Sequence, residues 1–289
     1  MTSRILTLDD RGWTAPAGAD AHAERLEAGD VLFWPSLAFE VDASELSLFT
    51  PAVVGSSKNV SFDPATGRVR GTAAEGAERG RLAGMLARFS AQADAFVRRL
   101  LPCYGDRLAR GRASFRPVEI AGRASSWRKD DTRLHIDSFP STPVHAQRIL
   151  RLFTNVNPGG RPRSWRVGED FETVARRFAP ALRPPLPGVS AVLALVRATR
   201  SVRSRYDAVM LQLHDRMKAD TDYQRTCDQL PFDFPAGSTW LAFTDQVSHA
   251  AMAGQYQLEQ TFLLPVGAML DERRSPLRVL ERLLGRRLV

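Results

Sequence analysis

Arg133-Leu-His-Ile-Asp137 is the stretch on which the reading of this chain turns. Apolar and polar side chains alternate along it, the period-two pattern of a strand in which every second side chain shares a face. His135 and Asp137 are therefore expected side by side, able to reach one ion. A third ligand type, His249, follows 112 residues after Asp137, in Val247-Ser-His-Ala-Ala251 just before another strand-like run. Two imidazoles and one carboxylate on one side of a metal leave three positions for a chelating co-substrate and dioxygen. Zinc favours more histidine or thiolate and a single open position, so ferrous iron is the better match. The competing reading is a strand-end ion pair with His249 a core histidine. Of the other histidines, His22 lies near the terminus, His145 in a proline-bearing loop and His214 in a helical stretch, and all three suit structural roles.

Outward from that stretch, the pattern alternates between strand and helix. Arg4 to about Thr50 reads as strands and loops, including Val31–Trp34 and Leu46–Phe49, with a helical turn at Ala21 to Glu27. Ser56 to Gly71 is a loop or hairpin. From Glu78 to Leu101, Leu82, Met85, Leu86, Phe89, Ala93 and Phe96 recur at three- and four-residue spacing, which predicts a helix ended by Pro102. Strand-like pieces follow from Ala113 to Phe153. Arg183-Pro-Pro-Leu-Pro-Gly188 is a linker or lid, and Tyr206 to Leu230 is a second helical stretch. Phe232 to Leu264 returns to strands, broken at Pro235–Gly237 and Ala253–Gly254. With no βαβ alternation and no glycine-rich phosphate loop, an antiparallel β-rich core decorated by helices is expected. One domain, 1–268, carries helical inserts near 78–101 and 206–230. Residues 269–289 form a basic amphipathic tail helix, with Ser275 as N-cap and Pro276 at the first position.

The chain has 289 residues and a formal charge of +8. Lys58, Lys129 and Lys218 are its only lysines among 40 basic residues, so 37 are arginines. Arginine's planar fork suits carboxylate and phosphate, although GC-rich codon usage gives the same enrichment. Anionic partners are thus expected, but no nucleic-acid motif appears. Cys103 and Cys227 form neither a disulfide framework nor a zinc motif. The amino terminus lacks an apolar signal core and no run is long enough to span a bilayer, so a soluble, cytoplasmic protein is expected.

A 2-oxoglutarate co-substrate needs a cation for its far carboxylate. Resemblance to oxygenases with this triad implies one of two places for it: the strand after the distal histidine, which here, Gln257–Leu264, carries no cation, or strands after the first histidine, where Arg148, Arg151 and Arg163 are available. Asn155-Val-Asn-Pro-Gly-Gly-Arg-Pro-Arg-Ser-Trp165 resembles the Asn…Pro-Lys-Ser-Trp stretch of JmjC-type oxygenases, whose lysine holds 2-oxoglutarate. By that resemblance Arg163 comes first and Arg151 second.

Ser126-Trp-Arg-Lys-Asp-Asp-Thr-Arg-Leu-His-Ile-Asp-Ser-Phe-Pro-Ser141 resembles the signature of the Kdo hydroxylases, and the similarity runs from the amino-terminal region through Pro265. The resemblance implies a double-stranded β-helix (jelly-roll, cupin-like) fold and an Fe(II), 2-oxoglutarate and O2-dependent dioxygenase, with ascorbate a candidate reductant. It implies hydroxylation at C3 of the Kdo sugar on lipid A, with release of succinate and CO2. It also implies work at the cytoplasmic face of a bacterial inner membrane. Arg128, Lys129 and Arg133 could meet this anionic substrate, or be held by Asp130 and Asp131. The tail helix could rest on anionic lipid through its leucines or pack them on the core. A monomer is expected. The alternatives are a hydroxylase of a protein or another small molecule, and a non-catalytic basic protein that binds nucleic acid or a membrane surface.

Overall fold

Strands buried on both faces read as unbroken apolar runs, while strands with one polar face alternate. Both kinds occur in the computed structural model, which describes residues 4–14, 20–183, 195 and 199–289. Among the described residues the eleven strands are β1 (Ile5–Thr7), β2 (Val31–Trp34), β3 (Val60–Asp63), β4 (Arg68–Arg70), β5 (Ala109–Arg116), β6 (Arg148–Asn155), β7 (Arg163–Val167), β8 (Leu230–Phe234), β9 (Thr239–Phe243), β10 (His249–Ala253) and β11 (Gln257–Leu264). They form one sheet in the order β1-β2-β9-β6-β11-β5-β3-β4 and a smaller one in the order β10-β7-β8. All named pairs are antiparallel except β1 with β2. This is the β-rich α+β, jelly-roll architecture expected from the sequence.

The two faces of the large sheet have different partners. Leu150, Leu152, Phe115, Leu258 and Phe262 pack outward against α2 (Gly76–Leu100) and α1 (Asp20–Glu27). All six periodic apolar residues of α2 are buried there. The inward face, with Phe153, Trp240 and Ala242, meets Trp165, Val167 and Phe234 of the small sheet in a second cluster.

A third cluster joins Leu134 and Ile136 to α3 (Phe171–Phe178), α4 (Arg205–Ala219) and the tail helix α6 (Pro276–Leu284). Helix α3 is absent from the sequence-based expectation, although Asp170 caps it by accepting from the Thr173 amide at 2.8 Å. The stretch expected as one helix over 206–230 is α4, then α5 (Thr221–Thr226), then β8. The break falls at Asp220, whose carboxylate caps α5. Leu46–Phe49 winds into a 3-10 turn. Residues 184–188 of the proline-rich segment lie outside the described residues.

The tail helix begins as expected, with Ser275 accepting from the Arg278 amide. Its orientation corrects the lipid-facing alternative: Leu277, Leu280 and Leu288 are buried in the third cluster, so that stripe is turned to the protein. Among the described residues no helix is long and apolar enough to cross a membrane.

Candidate metal centre and its surroundings

Arg133–Asp137 is extended, as its alternation predicts, but it is not a regular strand. It makes a single antiparallel bridge, His135 to His249. The Asp130 carboxylate, accepting from Thr132, turns the chain just before it. The His135 amide donates to the His249 carbonyl at 3.0 Å, and the reverse bond is 2.9 Å. The Asp137 amide donates to the Thr244 carbonyl at 2.7 Å. With Leu134 and Ile136 committed to the helical cluster, His135 and Asp137 take the opposite side. Ligand atoms of His135, Asp137 and His249 all lie within 4.8 Å of one another.

The backbone also fixes which ring nitrogens are free. Nδ1 of His135 lies 2.7 Å from the Arg133 carbonyl, and Nδ1 of His249 lies 2.8 Å from the Val247 carbonyl. A carbonyl only accepts, so each Nδ1 carries the hydrogen and each Nε2 keeps its lone pair. Burial lowers both histidines from their ordinary value; for His135 the His249 and Lys218 charges add to it and Asp137 opposes it. Burial would raise Asp137, but Arg151, the two histidines and a hydrogen bond with Thr244 together outweigh it and hold the carboxyl well below the usual range. The set offers two neutral imidazoles and one ionised carboxylate. Trp165 stacks on His249, ring centroids 5.0 Å apart, fixing its plane.

Around the triad the inward face of the large sheet is charged. Arg116 on β5 pairs with Glu259 on β11 at 2.7 Å, and Arg151 on β6 reaches Asp137 at 3.0 Å and Glu259 at 3.5 Å. Glu259 sits on the very strand where no cation was found in the sequence. Arg163 faces inward from β7, on the same side as Trp165 two residues on. It is buried, its Nη1 donates to the Gly254 carbonyl, and its Nε has no partner among the described residues. Burial, then the neighbouring Arg116, pulls it down to about 9. Gly254 supports it at φ +104°, where an added Cβ would meet the Pro162 carbonyl at 2.7 Å.

These residues fit a ferrous ion and a dianionic keto acid. The donor set is the facial one. Asp137 Oδ2 lies in salt-bridge range of Arg151 yet makes no aligned hydrogen bond, and among the described residues no carboxylate lies in salt-bridge range of the Arg163 guanidinium. The third candidate is corrected. Arg148 is on the outward face of β6, in a two-point pair with Asp245 (2.8 and 3.3 Å) and bonded to Gln246. Its face parity sends it away from the triad.

The loop cations are largely occupied as well. Arg133 bonds the Lys218 carbonyl and Asp130, and Arg128 pairs with Asp215 at 3.1 Å while lying over Trp127. The Lys129 side chain is exposed. Asp131 binds Lys58 and Arg123 instead of its sequence neighbours. Sequence reading placed His214 in a structural role, but its ring meets His135 edge-on at 5.4 Å. Lys218 is buried one turn later. Their i, i+4 spacing was the available signal.

The family model for 3-deoxy-D-manno-oct-2-ulosonic acid (Kdo) hydroxylase matches residues 11–287. No curated protein matches the chain. The structure is similar to that of the Kdo hydroxylase KdoO, a non-heme Fe(II) α-ketoglutarate-dependent dioxygenase, in complex with cobalt(II). Identity is 46%, the TM-score 0.97, and the match covers 99% of this chain and 98% of that one. KdoO in complex with α-ketoglutarate and Fe(III) is similar at 46% identity and a TM-score of 0.96, over 99% and 97% of the two chains. KdoO in complex with succinate and Fe(III) gives 46% and 0.96 over 99% and 98%. Fold, triad and matched length agree, and the chain belongs to the Kdo hydroxylase family.

Proposed function

We propose that this chain hydroxylates C3 of the Kdo sugar on lipid A as an Fe(II)- and 2-oxoglutarate-dependent dioxygenase, releasing succinate and CO2. The observation that carries the reading is the triad: two Nε2 lone pairs and one ionised carboxylate converging within 4.8 Å, with the buried Arg163, whose Nε has no partner among the described residues, on the same inward side. When bound, iron and 2-oxoglutarate supply oxygen activation coupled to decarboxylation. The protein contributes position and dryness. His135 and His249 present Nε2, held by the Arg133 and Val247 carbonyls. Arg151 keeps Asp137 ionised, and Arg163 receives the far carboxylate of the keto acid. The hydrophobic cluster between the sheets excludes water from one side.

Family membership does not favour hydroxylation of a protein, or a purely binding role. The chain works as a monomer at the cytoplasmic face of the inner membrane, meeting anionic lipid through arginines and not through the leucines of α6. Succinate release by anaerobically iron-loaded protein, with ascorbate as reductant, tests the reading with and without Kdo-bearing lipid A. Strong stimulation by the lipid and a product heavier by one oxygen are expected. Iron-dependent turnover indifferent to the lipid would discard the sugar.

A further inference from the structure

Residues paired across neighbouring strands share a face, so register shows which charges stand together on a sheet. Two of the loop cations expected to meet an anionic substrate are tied up, Arg128 by Asp215 and Arg133 by Asp130. Freer cations lie on the flank of the large sheet formed by β5, β3 and β4. Val60, Phe62, Val69, Ala113 and Phe115 of these strands are buried outward in the first cluster. By alternation Ser61, Asp63, Arg68, Arg70 and Arg112 take the inward side, which is that of Arg151 and the metal centre.

The register lines them up across the strands. Arg151, which reaches Asp137, is paired with Thr261 on β11. On the other side of β11, Gln260 and Phe262 pair with Ala113 and Arg110, so β5 carries one extra residue here. Such a bulge re-aims a side chain. Gly111 lies in it, where an added Cβ would meet the Thr261 carbonyl at 3.0 Å. Arg112 is turned toward Asp63 of β3, 3.6 Å away. Asp63 is paired in turn with Arg68 of β4, and Ser61 with Arg70. Strands lie about 4.8 Å apart, which puts Arg112 roughly 10 Å and Arg68 roughly 19 Å across the sheet from Arg151. Arg68 and Arg70 are exposed and in no ion pair among the described residues. Arg200, whose amide donates to the Ser141 carbonyl, brings a further charge to the same place. Burial lowers Arg112 from its ordinary value; Arg200 and Arg70 add to that and Asp63 opposes it.

We infer that Arg70, Arg112 and Arg200, with Arg68 at the rim, form a phosphate subsite, so that the glycolipid lies along this open flank while its sugar acid reaches the metal centre. This rests on the proposed function and gives the direction in which the rest of the substrate extends. Three guanidinium groups less the Asp63 carboxylate leave two positive charges. A phosphate monoester, at about −1.5 to −2, matches that and a single carboxylate does not. Arginine forks suit its oxygens. The spacing from Arg151 is the length of a few sugar rings, the separation expected between the reacting sugar and a phosphate further along one glycolipid.

The test compares Kdo-bearing lipid A with its phosphates present and enzymatically removed, both dispersed in neutral detergent. The proteins are the parent, Arg70→Gln/Arg112→Gln, and Arg68→Gln as a milder change. Melting temperatures should nearly hold, because Arg68 and Arg70 have no ion pair to lose and Asp63 is part exposed. The KM of the double variant for the phosphorylated lipid should rise about ten- to hundredfold, the range for losing charged hydrogen bonds. Arg68→Gln should raise it less. For the dephosphorylated lipid, parent and variants should share one high KM. Inorganic pyrophosphate should compete with the phosphorylated lipid in the parent and hardly at all in the double variant. A parent protein that does not distinguish the two lipids would overturn the inference without any variant. So would an equal rise in KM on both lipids, which makes the row a shaper of the site. Loss of binding to Kdo-free anionic vesicles, with the glycolipid KM unmoved, would give the flank to the bilayer and overturn it as well. Failure of the parent to hydroxylate either lipid would instead sink the proposed function.

Discussion

Arg148 and Arg151 stand three residues apart on β6 and serve opposite faces of one sheet. Both are largely buried arginines beside an aspartate. Arg148 is matched by the protein itself: two bonds to Asp245, one to Gln246 and a ring of Phe243 beneath it. Arg151 shares Glu259 with Arg116 and leans on Asp137 of the triad. On the outward face buried charge is closed within the chain. On the inward face it is only partly matched: among the described residues the Nε of the buried Arg163 has no partner. A buried charge is informative about function according to what is left unpaired, not according to how deep it lies.

The sharpest break in that comparison is at the triad. His135→Ala or His249→Ala should abolish iron-dependent succinate formation, a loss of at least about a thousandfold in an assay where the metal performs the chemistry. The melting temperature should fall only modestly, since the polar rim contributes little to the three hydrophobic clusters. Anaerobic iron titration checks it: a variant that still binds one ferrous ion tightly and turns over removes that histidine from the centre.

Arg148→Ala should show the opposite profile. It leaves the Asp245 carboxylate buried and alone, which costs about 3–5 kcal/mol, read as a lower denaturation midpoint. Affinity for 2-oxoglutarate should hold in the folded fraction. Burial already raises the Asp245 carboxyl with Arg148 beside it, and removing the guanidinium raises it further. The folded state then binds a proton more readily than the unfolded one. The destabilisation is least below about pH 4, the unfolded carboxyl value, and grows as pH rises through the folded value. A pH-independent loss would mean that packing, not charge, holds this pair together.

Arg163→Met separates the faces more finely. The KM for 2-oxoglutarate should rise about ten- to hundredfold, while thermal stability holds or increases. Added 2-oxoglutarate should raise the melting temperature of the parent protein more than that of the variant, by mass action on the folded state. Equal shifts in both proteins would move the keto-acid contact to Arg116 or Arg151.

How much of this could be read in the sequence followed from the range of the interactions involved. The alternation in Leu134–Asp137 and the spacing of α2 are local, and both placed their side chains correctly. The triad needed only one long-range guess, that His249 returns to meet His135. Arg148 was misplaced as a candidate because three-residue spacing in a strand reverses the face, and the inward set is decided only when Trp165 and Phe153 meet between sheets. His214 and Lys218 were hidden more deeply. A helix shows its periodicity in sequence, but which polar flank docks over a distant metal centre depends on the packing of α4 against Leu134 and Ile136. Glu259 illustrates the same limit: its pairing with Arg116 depends on the β11–β5 register.

The tail helix carries the comparison to the surface, where the expected effect is smallest. Leu277 and Leu280 of α6 are buried against α3 and α4, and the Leu288 carbonyl accepts from the Tyr206 amide at 3.2 Å. Truncating these leucines to alanine should therefore lower stability, by about 2–5 kcal/mol for a fully buried one, without acting on lipid directly. Arg286 and Arg287 are exposed and outside every ion pair described. Replacing both with glutamate should leave the melting temperature nearly unchanged and weaken binding to vesicles containing anionic phospholipid. The effect is about 1 kcal/mol for each arginine removed, is larger when each becomes acidic, and fades as salt is raised. If vesicle binding tracks the leucine variants instead, the helix must detach and turn over at the bilayer, and the distinction between its faces does not survive contact with lipid. If neither set changes binding, the proposed membrane contact lies elsewhere, and α6 serves only to close the cluster that holds Leu134 and Ile136 behind the metal ligands.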